Sequence, residues 1–266
     1  MTLTPFDKKA GTEQALDVIY ADRPLLGQIT PVCTDIFLPK PAARPAPLLI
    51  WLGADILSER APNPVGPRRL ADMLTRHGVA LCAPKVRVGA GRSDLPNSVV
   101  ERLSQIEKDR DQSVDPGLST FPAIAATEDI CALLAWVEVE GASYGLSGKT
   151  VLVGASTGAG LAFNIALVAP RLGLSRPAPV GLMSYSGTCA WPSFFAPNAM
   201  HAFALHNPTD RRMPIGPIRT MAQLDPQFEL IESIEQAHGS LGLWPQETTQ
   251  QACNRILARI HRWCTT

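Results

Sequence analysis

Gly148-Lys149-Thr150-Val151-Leu152-Val153-Gly154-Ala155-Ser156-Thr157-Gly158-Ala159-Gly160-Leu161-Ala162 reads as a strand, a tight turn and the start of a helix. The strand is Thr150–Val153 and the helix spans 157–168. At the turn, Gly154, Ser156 and Gly158 form G-x-S-x-G. A sharp turn there lifts the serine hydroxyl out of the sheet, and small residues on either side let strand and helix approach. The helix N-terminus favours negative charge developing beside it. Those three properties suit a nucleophile.

A second chemistry fits the same residues. Gly154, Gly158 and Gly160 also spell G-x-x-x-G-x-G, which resembles the dinucleotide loop of the short-chain dehydrogenases, whose glycines let a pyrophosphate approach the backbone. That reading makes the chain an NAD(P)-dependent oxidoreductase. Its loop, however, belongs after the first strand of the fold, and here roughly 150 residues precede it. It also needs a Tyr-x-x-x-Lys pair, yet Tyr185 is followed at position 189 by Cys. An acid for the ribose hydroxyls is expected about 20 residues on, where the chain has Leu174, Ser175 and Arg176. Context therefore favours the nucleophile turn. A plain glycine turn without chemistry is the third possibility.

Outward from the turn, strands and helices alternate. Asp17–Tyr20 and Val32–Leu38 read as outer strands. Leu48–Leu52 and Val79–Ala83 are short apolar runs of the kind buried on both faces of a sheet. A helix is expected over Pro67–His77, closed by Gly78, and a strongly amphipathic one over Phe121–Val139. Further strands are expected at Pro179–Tyr185, Ala202–Leu205 and Phe228–Ile234, with a last helix over Glu247–Cys264. Such alternation implies a mostly parallel sheet with helices on both faces. No repeat interrupts it, so residues 1–266 are read as one domain. Segments 85–120 and 186–200 are candidate lid or cap segments.

A serine nucleophile needs a base, and the base needs an orienting acid. On this kind of turn the chain order is Ser, acid, His. His77 precedes the serine, His201 and His206 flank a strand, and His261 lies in the last helix. His238, in the loop Gln236-Ala237-His238-Gly239, follows the last strand and is the candidate base. Beyond the turn the aspartates are Asp210 and Asp225. Asp210 follows its strand directly, whereas Asp225 precedes the next one, at the wrong edge of a parallel sheet. Asp210 is the candidate acid; a surface turn aspartate and an ordinary loop histidine are the plain alternatives for the pair. The oxyanion formed on attack needs backbone donors, here the Thr157 amide and an amide from Gly53-Ala54-Asp55. Trp191, Phe194 and Phe195 are candidates for an apolar substrate pocket, or equally for packing between a cap and the core.

Composition narrows the function classes. The chain has 266 residues, of which 45% are apolar and 18% charged, enough for a large core. Formal net charge is zero, so no global attraction to nucleic acid or anionic membrane is expected. No run approaches the roughly 18 apolar residues of a membrane span, and the first residues contain no signal-peptide core. The six cysteines form no C-x-x-C and no zinc-like spacing with histidine. Buried free thiols, a reducing compartment and a cytoplasmic location are expected, with neither metal nor cofactor.

Several segments together resemble the hormone-sensitive-lipase-like carboxylesterases of the α/β-hydrolase superfamily. Leu48–Asp55 stands where that family has a strand and an HGGG loop. The helix from Phe121 carries its Pro-Ala start and Glu-Asp pair. Ser143–Leu167 matches the approach to the nucleophile and its helix, Ala204–Ile215 the segment with the acid, and Ala237–Ser240 the segment with the histidine. The resemblance implies an α/β-hydrolase fold, a mostly parallel sheet of about eight strands with helices on both faces. It implies a triad of Ser156, Asp210 and His238, with the Thr157 amide in the oxyanion hole, in a serine hydrolase expected to act on a small or medium, mostly apolar ester as its small-molecule substrate, with thioester, lactone and amide cleavage as the alternatives. Two departures are visible. HGGG is replaced by Leu52-Gly53-Ala54-Asp55, leaving Gly53 and Ala54 as the second donor candidates, and Ser-Ala-Gly-Gly becomes Ser-Thr-Gly-Ala. A catalytically silent binding protein on the same fold is the competing class.

Overall fold

A computed structural model describes residues 7–9, 12–40, 45–58 and 65–265. Its centre is a nine-stranded sheet in the order β1-β2-β3-β5-β4-β6-β7-β8-β9. The strands are β1 (Asp7–Lys9), β2 (Thr12–Leu25), β3 (Gln28–Pro39), β4 (Ala46–Leu52), β5 (Ala80–Pro84), β6 (Leu146–Ala155), β7 (Gly181–Tyr185), β8 (His201–His206) and β9 (Glu229–Glu232). From β5 to β9 every neighbouring pair is parallel, and β1, β2 and β3 are joined by antiparallel pairing. The mostly parallel sheet expected from the alternation of elements is present.

The hairpin β2–β3 is much longer than the two short strands read from the sequence. Leu26 and Gly27 turn it with φ of 51° and 79°, the left-handed pair that matches the twist of a two-residue hairpin. Its outer half is largely exposed and carries Pro24, Gly27 and Pro31, which hides its strand character from an apolar-run reading.

Each central strand is buried on both faces. Leu48, Ile50 and Leu52 of β4 pack on one side, and Leu49 and Trp51 on the other. The first side is covered by α3 (Phe121–Glu140) and α4 (Thr157–Phe163), and the second by α1 (Val65–Thr75) and the last helix, Thr249–Thr265. The remaining helices are α2 (Asn97–Ile106) and α5 (Gly216–Leu224); Thr249–Thr265 is α6. After α4 the chain continues through a π turn at Asn164–Val168 to Leu172.

One helix differs in kind from its expectation. α3 is not amphipathic: every residue from Ala123 to Cys131 is buried. One side, with Ala126, Ile130 and Leu133, faces the sheet. The opposite side, with Ile124 and Ala125, lies under residues 85–120, whose Leu95, Val99, Leu103 and Leu118 build a small third core with Trp191. A helix covered on two sides has no polar stripe to display.

Burying α3 buries Glu128 and Asp129 with it, and Arg87 meets both. Arg87 Nε donates to Asp129 Oδ1 at 2.9 Å and Nη2 to Glu128 Oε2 at 2.6 Å. Nη1 donates to the carbonyls of Pro24 and Asp94 at 2.8 and 3.0 Å. A buried charge stays in a fold only when paired and fully hydrogen-bonded, and this guanidinium fastens the start of the 85–120 segment to the hairpin and to α3.

Candidate active site

β6 delivers Ser156 to the C-terminal edge of the sheet. Ser156 has φ 52° and ψ −119°, a backbone state that a non-glycine residue holds only where its surroundings enforce it. Its amide donates to Tyr185 O at 2.9 Å, and its carbonyl accepts from the amides of Ala159 and Gly160 at 3.0 and 3.1 Å. The flanking glycines are required sterically. A Cβ on Gly154 would lie 2.5 Å from the Ala159 backbone, and one on Gly158 would lie 2.1 Å from Leu52 O. The second distance also shows that α4 presses its first turn against the loop after β4.

The acid and the histidine come from the next strand ends. Asp210 follows β8, and its Oδ1 accepts from the amides of Arg212 and Met213 at 2.8 and 3.3 Å. His238 sits in the loop after β9. The structure brings all three side chains together: Ser156 Oγ is 2.7 Å from His238 Nε2, and His238 Nδ1 is 2.5 Å from Asp210 Oδ2. Burial raises the Asp210 carboxyl, but the His238 bond and the Arg212 and Met213 amides outweigh it and hold it below its ordinary range. An ionised carboxylate only accepts, so Nδ1 carries the imidazole proton and Nε2 is left to accept from the serine hydroxyl.

Asn207 and His206 organise this site; in the sequence His206 reads only as a residue flanking a strand, and nothing singles out Asn207. Asn207 Nδ2 donates to the carbonyls of Ile234 and Gln236, both at 3.0 Å, which ties the loop of the acid to the loop of the histidine. His206 is fully buried, and its Nε2 lies 2.9 Å from Met213 O, at the end of the turn that holds Asp210. A carbonyl accepts only, so Nε2 is the protonated nitrogen and Nδ1 is bare; Nδ1 has no partner among the described residues. The signal available was the pairing of two polar residues at the end of an otherwise apolar strand.

Burial lowers the His206 pKa from its ordinary value. The unfolded chain therefore binds a proton at this residue at higher pH than the folded chain does. Stability from His206 is complete above the ordinary histidine value and is lost as pH falls through the folded one. Denaturant midpoints measured at pH 7.5 and 5.5 should drop for the wild type. The drop should be smaller in His206→Gln, whose amide can still donate to Met213 O but does not titrate.

The candidate oxyanion donors lie beside the serine. Thr157 is the first residue of α4, where amides have no intrahelical acceptor. Gly53 to Ile56 form a turn, closed by the Ile56 amide donating to Gly53 O at 3.2 Å. The Asp55 carboxylate folds back over Gly53, its Oδ1 2.7 Å from where a Gly53 Cβ would stand.

The aromatic candidates lie elsewhere. Trp191 is wholly buried in the third core, its Nε1 donating to Ile106 O at 2.9 Å. Phe195 is buried against Phe228, with ring centroids 5.8 Å apart, and Phe194 lies under the Arg171 guanidinium. None of the three lines the cavity that adjoins the serine. That cavity, of about 530 Å³, touches Ala155 and Gly239, the neighbours of Ser156 and His238, together with Gly53 and Ala54. Its walls are formed by Phe37, Trp51 and Ile56, and by charged residues toward β3 and β5. These walls come from strand ends and an exposed turn, where no motif marks them. Among the described residues no cluster of metal-ligating side chains occurs, and no helix is long and apolar enough to cross a membrane.

No protein-family model and no curated protein matches the chain by sequence. Solved structures match by shape. A truncated carbohydrate esterase from gut microbiota superposes with a TM-score of 0.64 at 13% identity, covering 95% of this chain and 96% of its own. Esterase 2 of the Planctomycetes species Thermogutta terrifontis, native form, gives 0.61 at 15% identity over 94% of this chain and 91% of that one. A protein of Klebsiella pneumoniae subsp. pneumoniae, by name a dienelactone hydrolase, gives 0.60 at 15% identity over 95% and 100%. The fold is that of the α/β-hydrolases. Within it the glycine-rich turn follows the sixth strand, in mid-sheet, and not the first strand as a dinucleotide loop would.

Proposed function

We propose that the protein is a serine hydrolase that cleaves a small or medium carboxylic ester through an acyl-enzyme on Ser156. The observation that carries this reading is the unbroken chain from Ser156 Oγ through His238 to Asp210, at 2.7 and 2.5 Å, on a serine held at positive φ. His238 takes the hydroxyl proton as Ser156 attacks the carbonyl, then returns it to the leaving alcohol. Asp210 fixes the imidazole tautomer and stabilises the imidazolium. Thr157, with Ala54 or Gly53, supplies amides to the developing oxyanion. Water enters by the same proton path and releases the acid. The resemblance to the hormone-sensitive-lipase-like carboxylesterases supports the same residues in the same order. Among structures of this fold, Thermogutta terrifontis esterase 2 has been described phosphonylated by cyclosarin, which encourages the use of a phosphonate probe here.

Wild-type protein should react with a fluorophosphonate probe at one residue, located by mass spectrometry at Ser156, and should hydrolyse p-nitrophenyl acetate. The absence of both would sink the reading. A silent binding protein is favoured by one observation, the Asp55 carboxylate folded beside the expected oxyanion donors. It predicts neither labelling nor turnover, so the same experiment decides between the two.

A further inference from the structure

The cavity beside the serine is built across five strands, with Leu16 and Asp17 of β2 at its far edge. Side chains alternate faces along a strand, so Asp35 and Phe37 of β3, Ala83 of β5, Trp51 of β4 and Ala155 of β6 point to the α1 side together. In the sheet these strands stand in the order β3-β5-β4-β6. At about 4.8 Å per strand, the β3 end lies roughly 14 Å from the strand that carries Ser156. The floor nearest the serine is apolar, formed by Ala155 and Trp51, and Phe37 of β3 continues it toward the far end.

The far end is charged. Lys85 Nζ is ion-paired with Asp17 and lies 3.6 Å from Asp35 Oδ1. Asp17 sits on a β-bulge of β2, and its amide donates to Asp35 Oδ1 at 3.0 Å. These bonds use Oδ1 of both aspartates; among the described residues Oδ2 of each accepts nothing. Among the described residues, one ammonium between two carboxylates leaves a net charge of −1 there. Asp55 and Arg68, which also line the cavity, carry opposite charges and balance.

We propose that this cleft is the subsite for one arm of the substrate, and that it selects an arm that is apolar beside Ser156 and cationic at its tip. The substrate class is then an ester bearing an alkylammonium group. The proposal rests on Ser156 being the nucleophile. Since Asp17, Asp35 and Lys85 are all partly exposed, the preference is screened by salt.

The test is protection of the whole protein from fluorophosphonate labelling by hexylammonium, hexan-1-ol and hexanoate at pH 7.5. Hexylammonium should give half-protection at about five-fold lower concentration than hexan-1-ol, with hexanoate weakest, and the ratio should shrink as salt is added. Asp17→Asn and Asp35→Asn should bring the ratio toward unity, each measured against its own unprotected rate. Lys85→Met should widen it. Opposite signs from the two kinds of variant cannot arise from a shared loss of folding. Equal protection by all three compounds, or a ratio unchanged in all three variants, would overturn the cleft assignment while leaving the nucleophile intact. No labelling of wild type at all would overturn both.

Discussion

Replacing Ser156 by alanine is expected to abolish probe labelling and to lower ester turnover by at least about 10³-fold, toward 10⁶-fold if wild-type activity is high. The size follows from the geometry. His238 Nε2 has one partner at 2.7 Å, the Ser156 hydroxyl, and without it the proton path ends in solvent. What survives is the contribution of the oxyanion donors acting on water. The substitution also tests the fold separately from the chemistry. Alanine must adopt the same φ of 52°, at a strain close to that of serine, so the denaturant midpoint should stay near wild type while turnover disappears. A Ser156→Ala protein that still labels would place the nucleophile elsewhere.

The second large effect concerns a residue with no functional group. Gly158→Ala would put a methyl carbon 2.1 Å from Leu52 O and 2.5 Å from Gly53 O. Both are backbone atoms, so no side chain can rotate away. Relief requires α4 to withdraw from the end of β4, at a cost of about 3 kcal/mol or more. The same shift would carry Gly53 and Ala54 away from Ser156, so surviving folded protein should also lose turnover. Gly66→Ala is the control. It lies in the first turn of α1 with no described atom within 4 Å of the added carbon, so alanine there should leave stability at or slightly above wild type. A Gly158→Ala protein as stable as this control would show that the contact between α4 and β4 yields freely.

These two residues also show what the sequence discloses. Gly158 and Ser156 are conspicuous because a strand–turn–helix junction leaves few chemical options, and the apolar runs on either side of the turn fix it in a buried sheet. Asp210 and His238 were reachable because chain order and strand ends restrict the search to a few residues. Asn207, His206 and Arg87 were not reachable. Their partners are backbone carbonyls or carboxylates distant in the chain, such as Pro24 and Asp129 for Arg87, and no local pattern encodes such pairing. The amphipathic helix expected over Phe121–Val139 fails for a related reason: Glu128 and Asp129 of α3 face a buried guanidinium and not solvent. The cavity walls escaped notice because Trp51, Ala83 and Phe37 belong to three strands and are joined only by register.

Asn207 gives the site a division of labour. By holding the carbonyls of Ile234 and Gln236 from the end of β8, it locks the loops of the acid and the base into a single unit on one side of Ser156. The charged rim toward β3 and β5 lies on the other side and shares none of those bonds. On the proposed reading, proton transfer and substrate choice are thus carried by opposite halves of the sheet edge. The rim can be rewritten, residue by residue, without loosening the machinery that moves the proton.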